Sequence, residues 1–227
     1  DVKDETSFTL RQFGAQYYVS GATNKGAGGD FAQIVEANQP EYDSVNKIIK
    51  FEGKVSGTAG NSITSLPQGL DGDFSMFVVM KAGIQGSQHR DFISEASETT
   101  TVNIVAVGSG DGSSVDKDHL VSAVREDNGT FRMSTTDMGL VFDDAVTVIE
   151  IIKTDTNIRY IIDGSAPIGT AISAGGVYTP DNFTIGARLN ASGLNSFFNG
   201  DLLSLTMFNR EITAQESQDM NKWIDKE

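Results

Sequence analysis

Cysteine is absent from this 227-residue chain, and its absence excludes several kinds of chemistry at once. Without thiols there are no disulfides, zinc-thiolate sites or cysteine nucleophiles. Proline is scarce, with 4 residues against 24 glycines, so we expect glycine, asparagine and aspartate to make most of the tight turns. No apolar run approaches the roughly 18 residues that a membrane-spanning helix needs.

Basic residues are also scarce. The chain has 17 Lys and Arg against 31 Asp and Glu, a formal net charge of -14 at pH 7. Because no basic cluster interrupts this acidic background, phosphate backbones and acidic lipid headgroups should be repelled, and we expect neither nucleic acid nor a membrane as partner. Solubility explains the charge most simply, and cation binding or a salty medium are the alternatives.

The clearest pattern begins after the turn pair Asn199-Gly200. The alternate positions Leu203, Leu205 and Met207 are all apolar, which predicts a strand with one face in a core and neighbours on both edges.

A helix start follows this strand. The Thr213 hydroxyl and the Glu216 side chain stand at the spacing of a capping box, in which each accepts a hydrogen bond from the other's backbone N–H. Met220, Trp223 and Ile224 then recur at helical spacing. We therefore predict one closing helix whose apolar side, including the only Trp, packs on the sheet.

The rest of the chain reads as short strands separated by turn residues, and Asn128-Gly129 suits a type I′ hairpin. A run from 36 to 46 reads as an exposed linker. The pattern predicts an all-β, antiparallel jelly-roll β-sandwich in a single domain, 1–227, with one short C-terminal helix. A loosely alternating stretch from 8 leads to a first predicted strand at 16–19, and the other predicted strands cover 31–34, 47–51, 74–81, 89–94, 101–107, 120–125, 130–134, 145–153, 157–163 and 182–188.

Five segments follow one another in a recognisable order. They are Gln39-Pro40-Glu41-Tyr42 to Ile49-Lys50-Phe51-Glu52-Gly53, Asp73-Phe74-Ser75-Met76-Phe77-Val78-Val79-Met80-Lys81, Ile158-Arg159-Tyr160-Ile161-Ile162-Asp163-Gly164, Thr184-Ile185-Gly186-Ala187-Arg188, and Phe198-Asn199-Gly200-Asp201 through Phe208-Asn209-Arg210-Glu211-Ile212 to Glu216. In this order they resemble the concanavalin A-like lectin/glucanase superfamily, and within it the laminin-G-like modules of bacterial surface and phage structural proteins. The resemblance implies two antiparallel sheets, one of them concave, and a fold that carries hydrolases, lectins, adhesion modules and inert spacers.

The residues argue against catalysis. Hydrolases of this superfamily carry two acids at alternate positions of one strand, whereas the corresponding strand here offers only Glu150, which we interpret as a structural glutamate. The acid pairs Asp71/Asp73 and Asp143/Asp144 lie in turn sequences. His89 and His119 begin strands, without a Gly-x-Ser-x-Gly element anywhere. We predict that the protein is not an enzyme.

Calcium is an open alternative among the cofactors, since hard oxygen ligands are abundant. Asp111, Asp116 and Asp118 share one loop, although their order does not fit an EF-hand. Asp71 with Asp73, or Asp163 with Asp201, could contribute to a site built from several loops. We assign no ligands.

Sugar recognition needs an aromatic face beside planar polar groups, and four tyrosines are available for it: Tyr17, Tyr18, Tyr42 and Tyr178. Half-buried strand positions explain them equally well. We predict a non-catalytic, lectin-like binding or adhesion module for a glycan or a partner protein, located outside the cell, at a cell surface or on a virion. The alternative is a structural virion component, such as a phage tail or capsid-decoration protein, whose partners are other virion subunits. A glycoside hydrolase is the least favoured of the three.

Overall fold

The computed structural model describes residues 8–23, 30–33, 36–52, 60–65, 72–82, 90–96, 103–109, 120–125, 131–133, 145–171 and 181–224. Strands dominate these ranges, with a 3-10 turn at Glu36–Asn38 and a helix, α1, at Ala214–Ile224. The strands are β1 Phe8–Phe13, β2 Gln16–Ala22, β3 Phe31–Ala32, β4 Glu41–Asp43, β5 Ile48–Phe51, β6 Ile63–Ser65, β7 Phe74–Ala82, β8 Arg90–Ala96, β9 Asn103–Ser109, β10 Leu120–Arg125, β11 Phe131–Met133, β12 Val146–Lys153, β13 Asn157–Ile162, β14 Ile168–Ala171, β15 Asn182–Ile185, β16 Arg188–Asn190, β17 Gly193–Asn195 and β18 Gly200–Phe208.

Sixteen of the described strands belong to one sheet, in which 15 form a continuous hydrogen-bonded path that folds over on itself and β1 pairs with β2 beside that path. One leaf of the sandwich runs β4-β5-β18-β7-β12-β13-β14, and the other runs β3-β6-β15-β8-β9-β10-β11. All of these strand pairings are antiparallel. The predicted all-β antiparallel sandwich with one short C-terminal helix is confirmed.

The two leaves meet at β2. One edge of β2 pairs with β1. The other edge pairs first with β4, at Tyr17 and Tyr18, and then with β3, at Gly21 and Ala22. Both leaves therefore diverge from the same edge of one strand, and the β1–β2 hairpin closes that side of the sandwich.

The core between the leaves is apolar and aromatic. Met76, Val78 and Met80 of β7 lie in the same buried cluster as Phe183 and Ile185 of β15. Ring pairs such as Phe92 with Phe198, at 4.8 Å between centroids, strengthen this cluster beyond the area that they bury.

Strand β7 is covered on both faces, as its almost unbroken apolar sequence predicts. Its opposite face contributes Phe77 to a second cluster with Ile152 and Ile212, against which Met220 and Ile224 of α1 pack. Strand β18 lies between β5 and β7, so its predicted position inside the sheet is also confirmed.

The alternation in β18 is interrupted. A bulge between Leu202 and Ser204 shifts the register, so Leu202 is buried and Leu205 and Met207 pack at the edge of the core. Leu203, which we expected to face the core, is only half-buried at the bulge. A bulge adds one residue to a strand, which no alternation pattern announces.

The prediction for Trp223 is wrong. The helix packs through Met220 and Ile224, and the Trp223 side chain is 41% exposed. The two apolar residues lie four positions apart along one side of the helix, and Trp223 stands one position before Ile224, so it turns toward solvent.

The stretch from 36 to 46 is not a simple exposed linker. It contains the 3-10 turn and β4, and it buries Tyr42 in the core at 2% exposure. The expected strand at 182–188 ends at Ile185, because Gly186 adopts a left-handed φ of 84° and Arg188 begins the separate β16–β17 hairpin. Strands β10 and β11 pair as predicted, while the Asn128-Gly129 turn itself lies outside the described residues.

Candidate functional site

The outward side of the β1–β2 and β4–β5 hairpins gathers aromatic and polar side chains. Strand β2 begins where its antiparallel neighbour β4 ends, because Tyr17 pairs with Tyr42, so the two hairpin turns lie side by side at one end of the sandwich. We call this surface the hairpin face and define it by its outward residues: Arg11, Phe13, Gln16, Tyr18, Glu41, Asp43 and Lys50.

Register places these residues on one side of the sheet. Arg11 stands opposite Tyr18, Tyr18 opposite Glu41, and Glu41 opposite Lys50. Their inward neighbours Val19, Tyr42 and Ile49 lie in the core, as the two-residue period of a strand requires.

Two aromatic rings frame the face. Phe13, at the tip of the first hairpin, is 71% exposed, and Tyr18 is half-buried on the neighbouring strand. Gln16 stands opposite Phe13 in the register, and its Oε1 accepts a hydrogen bond from the Tyr18 hydroxyl at 3.0 Å. The Gln16 amide is therefore held at the Tyr18 hydroxyl, on the residue that pairs with Phe13.

Arg11 holds the Tyr18 ring in place. Its guanidinium carbon lies 5.6 Å from the ring centroid, within the range of a cation–π contact. Arg11 Nε also donates to Gln39 Oε1 at 2.9 Å, and Arg11 Nη1 lies 3.2 Å from Glu36 Oε2. Three contacts restrict a side chain that would otherwise be free to rotate.

Gln39 belongs to a buried polar group between the diverging leaves. Its Nε2 donates to the backbone oxygen of Gln33, whose own Nε2 donates to the backbone and hydroxyl oxygens of Ser62. Buried polar groups that are satisfied in this way rigidify their surroundings. The buried side chains beneath the hairpin face are therefore rigidly held.

The acidic side of the face is equally ordered. Glu41 Oε2 accepts from Gln16 Nε2 at 3.1 Å. Lys50 Nζ lies 2.8 Å from Asp43 Oδ2 and 3.9 Å from Glu41 Oε1. The hydrogen bond from Lys50, followed by those from Asn46 and Val45, holds the pKa of Asp43 well below its usual value, and the same bond raises the pKa of Lys50.

The tyrosines separate into distinct roles. Tyr42 is buried, Tyr17 packs against the core, and Tyr18 alone among these three faces outward. Tyr178 lies outside the described residues. Sequence alternation alone could have ranked Tyr18 above Tyr17, whereas Phe13 and Gln16 carried no signal until the hairpin brought them together.

Glu150 does not line a groove. It lies on the outer face of its leaf opposite Phe77, is 1% exposed beneath α1, and accepts a hydrogen bond from the Ser217 hydroxyl at 2.8 Å. Within the described part of the chain, its Oε1 has no hydrogen-bond partner. This position agrees with the structural role that the sequence predicts for Glu150.

The calcium candidates are only partly within the described residues. There, no group of three or more His, Asp or Glu side chains could hold a metal ion. Asp163 instead accepts from the Val148 backbone N–H at 2.8 Å, and Asp201 lies opposite Lys50 and Lys81. Asp73 is exposed. Calcium binding stays a prediction, since the remaining acidic residues lie outside the described ranges: Asp71, Asp111, Asp116, Asp118, Asp143 and Asp144. His89 and His119 also lie outside these ranges.

A second charged group lies under the β16–β17 hairpin. Arg188 Nε donates to Asn195 Oδ1 at 2.8 Å and lies 3.6 Å from Oδ2 of the fully buried Asp91. The Arg188 side chain is 25% exposed. Because it neutralises a buried carboxylate, its first role is structural.

No family model and no curated protein matches this sequence, but solved structures do match the fold. One is botulinum neurotoxin type C, whose cell entry depends on interaction with two ganglioside molecules; it aligns with a TM-score of 0.63 and 9% identity over 95% of this chain and 50% of that chain. The binding domain of botulinum neurotoxin DC, in complex with SialylT, gives 0.55 and 10% over 98% of this chain and 52% of that one.

A further match is the CBM40 module of the Ruminococcus gnavus IT-sialidase bound to α2,3-sialyllactose, with a TM-score of 0.52 and 9% identity over 66% of this chain and 83% of the module. The chain spans about half the length of the toxin chains. At these identities the likeness shows the fold, a β-rich sandwich shared with binding domains. The narrower resemblance to laminin-G-like modules stays a prediction.

Proposed function

We propose that this protein is a non-catalytic carbohydrate-binding module that holds a glycan on its hairpin face. The observation that carries the proposal is the shared fold with a sialidase module bound to a sugar, which extends over most of that module. The toxin matches add a second kind of glycan-associated protein, although half of each toxin chain has no counterpart here.

The chemistry of the hairpin face supports the same function. Aromatic rings such as Phe13 and Tyr18 present an apolar face to the C–H groups of a sugar ring. The Gln16 amide and the Glu41 carboxylate offer donors and acceptors to sugar hydroxyls. Because Tyr18, Gln16 and Glu41 are already held in place by one another, these three side chains would lose little conformational entropy on binding.

We infer a non-enzymatic role. It is supported by the matched domains, one a toxin binding domain and one a module bound to a sugar, and by the position of Glu150 beneath a helix. A location outside the cell or at a cell surface fits a glycan partner. No helix of the described residues combines the length and apolarity of a membrane span. A virion role stays a prediction, and no observation favours it over glycan binding.

A glycan array tests the proposal, followed by titration of the retained glycans against Phe13→Ala and Tyr18→Ala. We expect either substitution to weaken binding about tenfold or more, since each removes one ring of the face. Phe13 is the cleaner probe because its exposed ring contributes little to stability.

Trp223→Ala is the matched control, since it removes an exposed aromatic side chain on α1, away from the hairpin face. Its affinity should equal that of the unchanged protein. An array without any retained glycan, or a loss of affinity in Trp223→Ala but not in Phe13→Ala and Tyr18→Ala, contradicts the proposal.

A further inference from the structure

The charges of the hairpin face restrict the kind of sugar that it can hold. Two cations, Arg11 and Lys50, stand among three carboxylates, Glu36, Glu41 and Asp43. The chain as a whole carries a formal charge of -14, so no wider positive field offsets this local balance.

Both cations are already engaged. Arg11 divides its guanidinium between Gln39, Glu36 and the Tyr18 ring. Lys50 lies against Asp43 at 2.8 Å and near Glu41. An acidic sugar would have to displace one of these internal carboxylates to reach a cation, and it would then leave that carboxylate uncompensated.

Glu41 adds direct repulsion. Its carboxylate accepts from Gln16 and lies in the row that contains Tyr18, so it stands beside the ring on which a sugar would stack. A ligand carboxylate at that ring would lie a few ångströms from the like charge of Glu41, and the repulsion between them disfavours binding. Hydroxyl groups, by contrast, can donate to Glu41 and to Gln16.

We propose that the hairpin face selects uncharged glycans and disfavours those ending in an acidic sugar such as sialic acid. This inference rests on the proposed function and specifies its ligand class. It separates this protein from the sialidase module of similar fold, whose bound ligand is sialyllactose. The fold is shared, but the selectivity follows from the side chains on the face.

The test is a binding series of neutral glycans, each paired with its terminally sialylated form, beginning with lactose and α2,3-sialyllactose. We expect the neutral member of each bound pair to bind about tenfold more tightly or better. Added salt should narrow the difference in affinity, because it screens the repulsion of the charged sugar and leaves the binding of the neutral sugar unchanged.

The variant Glu41→Gln distinguishes an electrostatic role of Glu41 from a merely structural one. It keeps an acceptor for Gln16 and removes the charge, so the ratio between neutral and sialylated affinities should fall several-fold. Glu211→Gln is the matched control, since it removes an exposed carboxylate that pairs with Arg159 of β13, away from the hairpin face, and its thermal midpoint is measured to confirm folding. It should leave that ratio unchanged.

The outcomes distinguish the two proposals. Equal or tighter binding of the sialylated members overturns the selectivity and leaves carbohydrate binding intact. A ratio that falls as far in Glu211→Gln as in Glu41→Gln also overturns it, because the charge effect is then not local to the hairpin face. Failure of every glycan to bind overturns the proposed function as well. Unchanged ratios in Glu41→Gln also contradict the inference.

Discussion

At the scale of single residues, the sequence is most informative where a pair of residues has a single structural explanation. Thr213 and Glu216 form the predicted capping box: the Thr213 N–H donates to Glu216 Oε2 at 2.8 Å, and the Glu216 N–H donates to Thr213 Oγ1 at 3.2 Å. Arg210, which the pattern did not reveal, adds a bidentate ion pair to Glu216 at 2.9 and 2.6 Å.

This pairing predicts a pH dependence of stability. The hydrogen bonds from Arg210 and then Thr213 lower the pKa of Glu216 from 4.5 to about 2. A lowered pKa stabilises the folded state above the unfolded value, so this contribution should be complete above about pH 5 and disappear as the pH falls toward about 2. Chemical denaturation of the protein and of Glu216→Gln across this range measures it. A difference in unfolding free energy that stays constant with pH contradicts the assignment.

Gly186 supplies a second prediction at this scale. Its φ is 84°, and an added Cβ would overlap the ring of buried Phe51 and lie 2.8 Å from the Asn61 backbone oxygen. Gly186→Ala should cost about 1–2 kcal/mol for the left-handed backbone and about 1–3 kcal/mol more for overpacking. Denaturant unfolding measures the loss.

Gly164→Ala is its control. Gly164 has a φ of 67°, and no atom of the described residues lies within 4 Å of an added Cβ, so only the backbone cost of about 1–2 kcal/mol applies. Equal losses in both variants would show that the contact with Phe51 contributes nothing.

At the scale of elements, long strands with a continuous or alternating apolar pattern were predictable and short ones were not. Strand β7 is nine residues long and β12 eight, and their sequences alone indicate burial. Strands β4 and β6 have three residues each, too few to show a period. The same limit hid the hairpin face, because its residues come from strands that only tertiary pairing brings together.

The docking of α1 gives an element-scale prediction. Ser217 Oγ donates to the buried carboxylate of Glu150, so Ser217→Ala should lower the unfolding free energy by about 1–3 kcal/mol by leaving that group unsatisfied. Adding Glu150→Leu should recover most of the loss, because an apolar pair needs no hydrogen bond. A double variant that is less stable than Ser217→Ala would argue against this account.

At the scale of the whole molecule, composition and turn spacing were sufficient to predict a sandwich, since an all-β chain of this length has few other ways to bury two-faced strands. They could not indicate that both leaves diverge from one edge of β2. That branching depends on which strands pair over long sequence separations, and the local pattern of each strand is compatible with several partners.

Calcium binding is tested on the whole protein. If an ion is bound by folded loops, its removal should lower the thermal midpoint, because a ligand that binds only the native state stabilises it. Unfolding in calcium-containing buffer and in excess chelator makes the comparison. An unchanged midpoint removes calcium from consideration.

The divided edge of β2 also bears on how the protein would respond to tension. Because β2 is bonded to β1 on one side and to β4 and β3 on the other, a load applied through a glycan at the β1–β2 turn would enter both leaves simultaneously. Within the described part of the chain, a load on a peripheral strand such as β14 would instead pass through its one ladder with β13.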